Sequence, residues 1–296
     1  MDRRYFLKYM SGLGISLGLI PFPYLDSFSS NPSNSKFTVQ ELMDFILDEL
    51  KLKRFSPTVD ILKTGDPGMR VTGVVCTMFP TIPNIQKTIE LGANFMIVHE
   101  PSFYNHEDDQ HLVPKNEVLE KKLDLLKDHH IAIWRFHDYI HTLVPDMVLM
   151  GVLKKLDWTN SLNPATSLVE IPPRSLGEVL AYVKEKLQIE HFRYEGDLDQ
   201  VIHTIGILPG AVGVRKHLNK VENFHPDLLM VGEMSEWETG EYFRDRISLG
   251  YKSSLIILGH AKSEEPGMEY FSEWLKNEIP EIPVHHIPSG DPFHWD

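Results

Sequence analysis

The chain has 296 residues, 42% of them hydrophobic and 24% charged, with a formal net charge of -13. These figures suit a globular protein with one large domain or two lobes, and they argue against a nucleic-acid binder, which needs a basic face to neutralise phosphates. The single cysteine, Cys76, excludes an internal disulfide and a thiolate metal cage, and its place in Val74-Val75-Cys76 predicts a buried, inert thiol.

Asp2-Arg3-Arg4-Tyr5-Phe6-Leu7-Lys8 carries two arginines followed by Phe-Leu-Lys, and a moderately apolar stretch rich in glycine and serine follows over residues 10–23. This matches the twin-arginine export pattern, and the stretch is too short and too glycine-rich to make a good membrane span. Residues 1–33 are therefore expected to be a signal segment and linker, and 34–296 the folded domain. The mature protein is expected to be periplasmic and without a transmembrane span. Gly12-Leu13-Gly14-Ile15-Ser16-Leu17-Gly18 is not a nucleotide loop, because its third glycine is out of place and no strand precedes it.

Thr38 is expected to cap a helix over residues 39–52, with apolar residues at Leu42, Phe45, Ile46 and Leu50. Residues 70–78 read as a strand, 82–91 as a helix stopped by Gly92, and Phe95-Met96-Ile97-Val98 as the next strand, which makes a βαβ unit. A helix at 116–129 and a strand at 131–134 repeat the pattern, and a helix at 147–156 follows. A strand at 167–171 closed by Pro172-Pro173, a helix at 175–187, and strands at 192–194 and 201–208 come next. A glycine-rich turn at 209–213 precedes strands at 228–231 and 254–258, a helix at 267–276, and a last strand at 284–287. This alternation predicts an α/β fold of two lobes with mixed sheets, one lobe from roughly 36–160 plus 246–296 and the other from 161–245.

In such sheets, sites lie at the carboxyl ends of strands. Four strand ends here carry unusual polar groups: His99-Glu100, the 137–141 segment, Glu233 with Glu236, and His260 with Glu264. Imidazoles and carboxylates drawn from several segments are what a catalytic metal site needs. Pooled, the ends offer His99, Glu100, His141, His260 and Glu264 as metal ligands. Five are more than one tetrahedral ion takes, and two divalent ions (zinc, iron or manganese) bridged by a carboxylate would use them all. His260 and Glu264 are four apart, which puts both on one face of a helix, and His137 and His141 share that spacing. Glu233 and Glu236 are candidate catalytic acid/base groups, or partners that orient a ligand. His106, His111, His129 and His130 sit among charged residues and are expected to be solvated. His285 and His286 are adjacent in a strand and face opposite ways, so at most one points to a site. Neither Gly-x-Ser-x-Gly nor His-Glu-x-x-His occurs, which argues against serine catalysis and zincin proteolysis.

At these residues the chain resembles the dinuclear-metal hexamers called NGG-interacting-factor-like or GTP cyclohydrolase I type 2-like. The likeness spans residues 39–293 and rests on Gly92-Ala93-Asn94-Phe95-Met96-Ile97-Val98-His99-Glu100-Pro101-Ser102-Phe103, on the 137–141 segment, on Gly232-Glu233, and on Gly259-His260-Ala261-Lys262-Ser263-Glu264. It implies two α/β lobes with a metal pair between them, assembled as a homohexamer. His99, His260 and Glu264 match the family pattern directly. Glu100 stands where the family usually has histidine, and His141 where it usually has aspartate. The exchange keeps three imidazoles and two carboxylates and leaves the formal charge unchanged. Asp138 is the substitute for His141 if the backbone shifts. The expected function is a metal-dependent hydrolase acting through metal-bound hydroxide on a small molecule; the alternative is a non-catalytic metal-binding or scaffold hexamer.

Overall fold

The computed structural model describes residues 36–112 and 115–294, so the expected signal segment lies outside the described residues. The first strands and helices are α1 (Val39–Glu49), β1 (Leu62–Thr64), β2 (Val74–Thr77), α2 (Ile82–Glu90), β3 (Phe95–Val98), α3 (Glu117–Asp128), β4 (Ala132–Arg135), the short α4 (Asp138–His141) and α5 (Met147–Lys155). They are followed by β5 (Leu162–Asn163), β6 (Leu168–Ser175), α6 (Leu176–Leu187), β7 (Arg193–Glu195), β8 (Val201–Leu208), α7 (Val214–Phe224), β9 (Leu228–Val231), α8 (Glu241–Ser248), β10 (Ser254–Ile257), α9 (His260–Glu278) and β11 (Val284–His286). The fold is mixed α/β. One sheet has the order β1-β4-β3-β2-β11 and the other β5-β6-β8-β9-β10-β7. No helix among the described residues is long and apolar enough to cross a membrane.

Each sheet is covered on both faces. In β2, β3 and β4, Val74, Cys76, Phe95, Ile97, Ala132 and Trp134 face α1 and α9, while Val75, Met96, Val98 and Ile133 face the other way, with Ile85 and Leu126. The period-2 alternation of a strand thus feeds two cores from one near-continuous apolar run. Cys76 is fully buried, as expected, and burial pushes its thiol pKa up. In the second sheet, Ile205, Leu228, Met230 and Ile256 face α5 and α6, and Leu229, Val231, Leu255 and Ile257 face Val221 and Phe243.

Several boundaries differ from the expectation for physical reasons. β10 pairs with β9 and β7, so 254–257 belong to the second sheet and the boundary expected at 246 falls later in the chain. Pro172-Pro173 do not close β6; the strand continues to Ser175 across a register break between Glu170 and Arg174, which accommodates residues lacking a ladder N–H. The last long helix starts at His260, not at residue 267, and contains Pro266. An interior proline costs a helix one hydrogen bond, and here packing holds it. Gly151 of α5 lies against the Pro266 backbone, and a Cβ on Gly267 would come within 2.6 Å of Val148 Cα. α5 and α9 therefore meet backbone to backbone around Pro266 and Gly267, in the second turn of α9.

Candidate metal centre

Hydrogen bonds that run past the strand ends set the positions of the polar residues. The His99 N–H donates to the Thr77 carbonyl (3.2 Å) and the Glu100 N–H to the Met78 carbonyl (2.9 Å), so the pair prolongs the β2–β3 ladder by two residues. The Phe136 N–H reaches the Val98 carbonyl at 2.8 Å. In the second sheet the Gly259 N–H donates to Gly232 (2.9 Å) and the Glu233 N–H to Gly210 (2.8 Å), just before His260 opens α9. Asp60 holds α4: its carboxylate accepts the backbone N–H groups of His137, Asp138 and Tyr139 at 2.7–2.9 Å. An acid at a helix N-terminus is favoured by the exposed amides there. Asp60 thus serves as a cap, although it lies near His137 and Asp138.

Four imidazoles share one orientation. The Nδ1–H of His99 donates to the Phe136 carbonyl (3.2 Å), that of His141 to Asp146 (2.8 Å), that of His260 to Glu233 (3.0 Å) and that of His137 to Asp138 (2.9 Å). A carbonyl or carboxylate oxygen can only accept, so each Nδ1 carries the hydrogen. The opposite nitrogens turn toward two carboxylates. His260 Nε2 lies 3.0 Å from Glu100 Oε1 and 3.1 Å from Glu264 Oε2, and His99 Nε2 lies 3.5 Å from the same Glu264 oxygen. His141 Nε2 is 4.0 Å from Glu264 Oε1, and His137 Nε2 is 3.7 Å from Glu100 Oε1. Glu264, only 3% exposed, therefore presents one oxygen to His260 and His99 and the other to His141. His99 Nε2 is fully buried with no hydrogen-bond partner.

The charges are tightly coupled. Burial opposes charge on His260, but its hydrogen bonds to Glu100 and Glu264 overcome this and raise its pKa to about 11. It is thus an imidazolium between two carboxylates when metal is absent. Burial favours a neutral Glu264, yet His99 and His260 pull its pKa well below the carboxylate range; Glu100 is lowered by His260 and His99 in the same way. His99 is raised, because Glu264 outweighs its burial. His137 goes the other way: burial and the nearby His99 depress it to about 4, so it stays neutral.

All five expected ligands converge, and ligand atoms of His99, Glu100 and Glu264 lie within 4.8 Å of one another. His137 joins them, its ligand atom within 4.8 Å of those of His99 and His141. The signal for it was present in the His137/His141 spacing. Asp138 does not replace His141: its carboxylate is taken by His137, the Thr58 hydroxyl and the Val59 N–H. Glu233 orients His260. Glu236 is not brought to the cluster; its side chain is 74% exposed and pairs with Arg193. The chain turns at Ser235 into a wide helical turn, Glu236–Gly240, and carries Glu236 away. His106, His111, His129 and His130 are exposed, as expected. Sequence reasoning did not single out Arg135. It is fully buried at the end of β4, donates to the His99 carbonyl (3.2 Å) and stands 3.5 Å from Glu100.

A cleft of about 1000 Å³ opens beside the cluster, lined by Glu100, Glu233 and His260 together with Phe79, Tyr104 and Phe192. This geometry brings together imidazoles whose Nδ1–H is held by an oxygen and whose Nε2 faces buried carboxylates; a metal-binding histidine commonly has its other ring N–H held in this way. The family model of Duf34/NIF3 (NGG1p interacting factor 3) matches residues 37–292. The chain belongs to the Duf34/NIF3 family. It is 22% identical over 247 residues to a protein of Clostridium perfringens named GTP cyclohydrolase 1 type 2 homolog, covering 79% of this chain and 90% of that one. A protein of the same name from Clostridium acetobutylicum is 22% identical over 255 residues, covering 81% and 90%. Among solved structures, Staphylococcus aureus hypothetical protein SA1388 superposes with a TM-score of 0.70 at 20% identity, over 88% of this chain and 99% of that one. A Bacillus cereus protein related to NIF3 gives 0.68 at 14% identity, over 88% and 100%. At these identities the likeness speaks for the Duf34/NIF3 fold.

Proposed function

We propose that this cluster holds two divalent metal ions between the two sheets and that the protein is a metal-dependent hydrolase. The observation that carries this reading is the shared orientation of His99, His141 and His260, each with Nδ1–H held by an oxygen and Nε2 directed toward Glu264. The donor set fits: the buried Nε2 of His99 faces a Glu264 oxygen at 3.5 Å without a well-formed hydrogen bond, a costly arrangement in a core without a ligand. His99, Glu100, His141 and His260 would hold the ions, with His137 beside them, and Glu264 would reach both. Three imidazoles and two carboxylates suit zinc, iron or manganese. Such ions supply Lewis acidity toward water and toward the oxygen of an electrophile.

The chain's own groups do the rest. Glu233 fixes the tautomer of His260 and, being 60% exposed beside the cleft, can exchange a proton with solvent. Arg135 balances the carboxylate of Glu100, which occupies the position where the family usually has histidine. The name of the clostridial relatives supports a hydrolytic class of reaction without fixing a substrate.

The reading extends to a homohexamer, checked by light scattering, and to export by the twin-arginine route, checked by fractionating cells with and without Arg3→Lys/Arg4→Lys. The function is tested by stripping the full chain of metal, screening phosphoester, amide and cyclic-amidine substrates, and restoring zinc, iron or manganese. Turnover that vanishes on stripping and returns with metal supports the hydrolase. Two bound ions without turnover on any class would favour the non-catalytic metal-binding role instead.

A further inference from the structure

We propose that the cleft beside the cluster takes an organic anion with an apolar body, and that Lys122 is the residue that recognises its carboxylate or phosphate group. The proposal rests on the hydrolase reading for the identity of the cleft as a substrate site. Lys122 sits in the apolar stripe of α3 between Leu119 and Leu126 and is only 3% exposed, yet it lines the cleft. Its ammonium donates to the Ser102 carbonyl at 2.6 Å and lies 5.1 Å from the centre of the Tyr104 ring. An ammonium has three hydrogens to donate, and a buried cation is costly unless it is paired. Among the described residues Lys122 forms no salt bridge.

The surrounding charges make this imbalance specific. Asp108 is the buried carboxylate nearby, and it is already held by Lys63 at 3.0 Å, with Arg135 at 3.6 Å and the Ser102 and Phe103 N–H groups on its other oxygen. Glu100, which faces Arg135, is shared with His260. Three buried cations, Lys63, Lys122 and Arg135, thus meet two carboxylates, Asp108 and Glu100, and Lys122 is the one without a carboxylate of its own. A ligand anion would complete it. Burial lowers the Lys122 pKa to about 8, so the side chain still carries its charge at neutral pH. Much of the remaining lining is apolar, with Phe79, Ile82, Phe192, Met234 and Phe293, and it also carries Arg193, Lys262 and Asp291. A pocket with apolar walls and few polar anchors selects a ligand of the same make-up.

The test uses the full chain, both as purified and after chelation, with three probes of one shape: 2-naphthoate, 2-naphthylmethylphosphonate and the neutral 2-naphthalenemethanol. Binding is followed by calorimetry, and metal content is measured on the same samples. The wild type should bind at least one anion roughly tenfold or more tightly than the alcohol, with or without metal, as expected for a hydrogen bond to a charged group. The tighter anion identifies phosphate or carboxylate as the recognised group. Lys122→Met should abolish the preference and leave the alcohol's affinity unchanged. A preference that survives Lys122→Met, or one that appears only with metal bound, overturns the proposal. If Lys122→Met does not fold, the chelated wild type decides: equal affinity for anion and alcohol overturns it. Anion preference in a protein that binds no metal would uphold this inference and refute the metal centre; two metals without a lysine-dependent preference would do the reverse.

Discussion

Replacing Glu264 by glutamine keeps the shape of the side chain and removes its charge. In the metal-free protein the Glu264 carboxylate, 3% exposed, lies 3.1 Å from the His260 imidazolium and 3.5 Å from His99. A hydrogen bond to a charged group contributes about 1.5–3 kcal/mol, and breaking a buried ion pair outright costs about 3–5 kcal/mol. Glutamine still offers an oxygen to one imidazole, and Glu100 still faces His260, so the loss should sit near the lower range, about 2–3 kcal/mol. For a domain of this size that is a fall in Tm of roughly 4–12 °C. Calorimetry of the chelated wild type and Glu264→Gln at pH 7 measures it. In the metal-loaded protein the same change removes the group proposed to reach both ions, so metal content should drop as well. An unchanged Tm together with unchanged metal content would refute the central place given to Glu264.

The metal-free protein should be most stable near pH 6.5. Its folded state keeps His137 neutral, with a pKa of about 4 against 6.5 when unfolded, so that contribution is present above pH 6.5 and lost as pH falls toward 4. His260 has its pKa raised to about 11, so its contribution is full below about pH 6.5 and lost as pH rises through 11. Urea unfolding across this range should therefore show a dome, and metal loading should flatten the alkaline side; a flat metal-free profile would contradict the charge assignments. Gly210→Ala should destabilise by about 1–3 kcal/mol and lower metal content, because Gly210 has a positive φ of 67° and a Cβ there would run into Glu264 Oε1; a silent change would contradict this. Glu100→His should lose stability, since it leaves the buried Arg135 facing an imidazole. The double variant with His141→Asp should nonetheless bind metal better than either single variant, whereas additive losses would show that the exchange is not compensatory.

The strand ends were legible because β3, β4, β9 and β10 are short, fully buried and mostly apolar, and a charged or imidazole group following such a run stands out. β1, with its three half-buried residues, left no such pattern. The start of α9 was hidden by Pro266, whose tolerance depends on the close approach of Gly151, a tertiary contact no local pattern encodes. Glu236 looked equivalent to Glu233 along the chain, and only the wide turn after Ser235 separates them. Arg135 and Lys122 were missed for a related reason. Each looks like an ordinary surface cation until the packing of β4 or α3 is known, and only then does its burial become informative.

Elemental analysis of the purified wild-type chain, alongside His141→Ala and His260→Ala, tests the metal centre most directly. About two divalent ions per wild-type chain are expected, with a loss in each variant. A wild-type protein that takes up no ion after incubation with zinc, iron and manganese, or variants that retain the full complement, would contradict it.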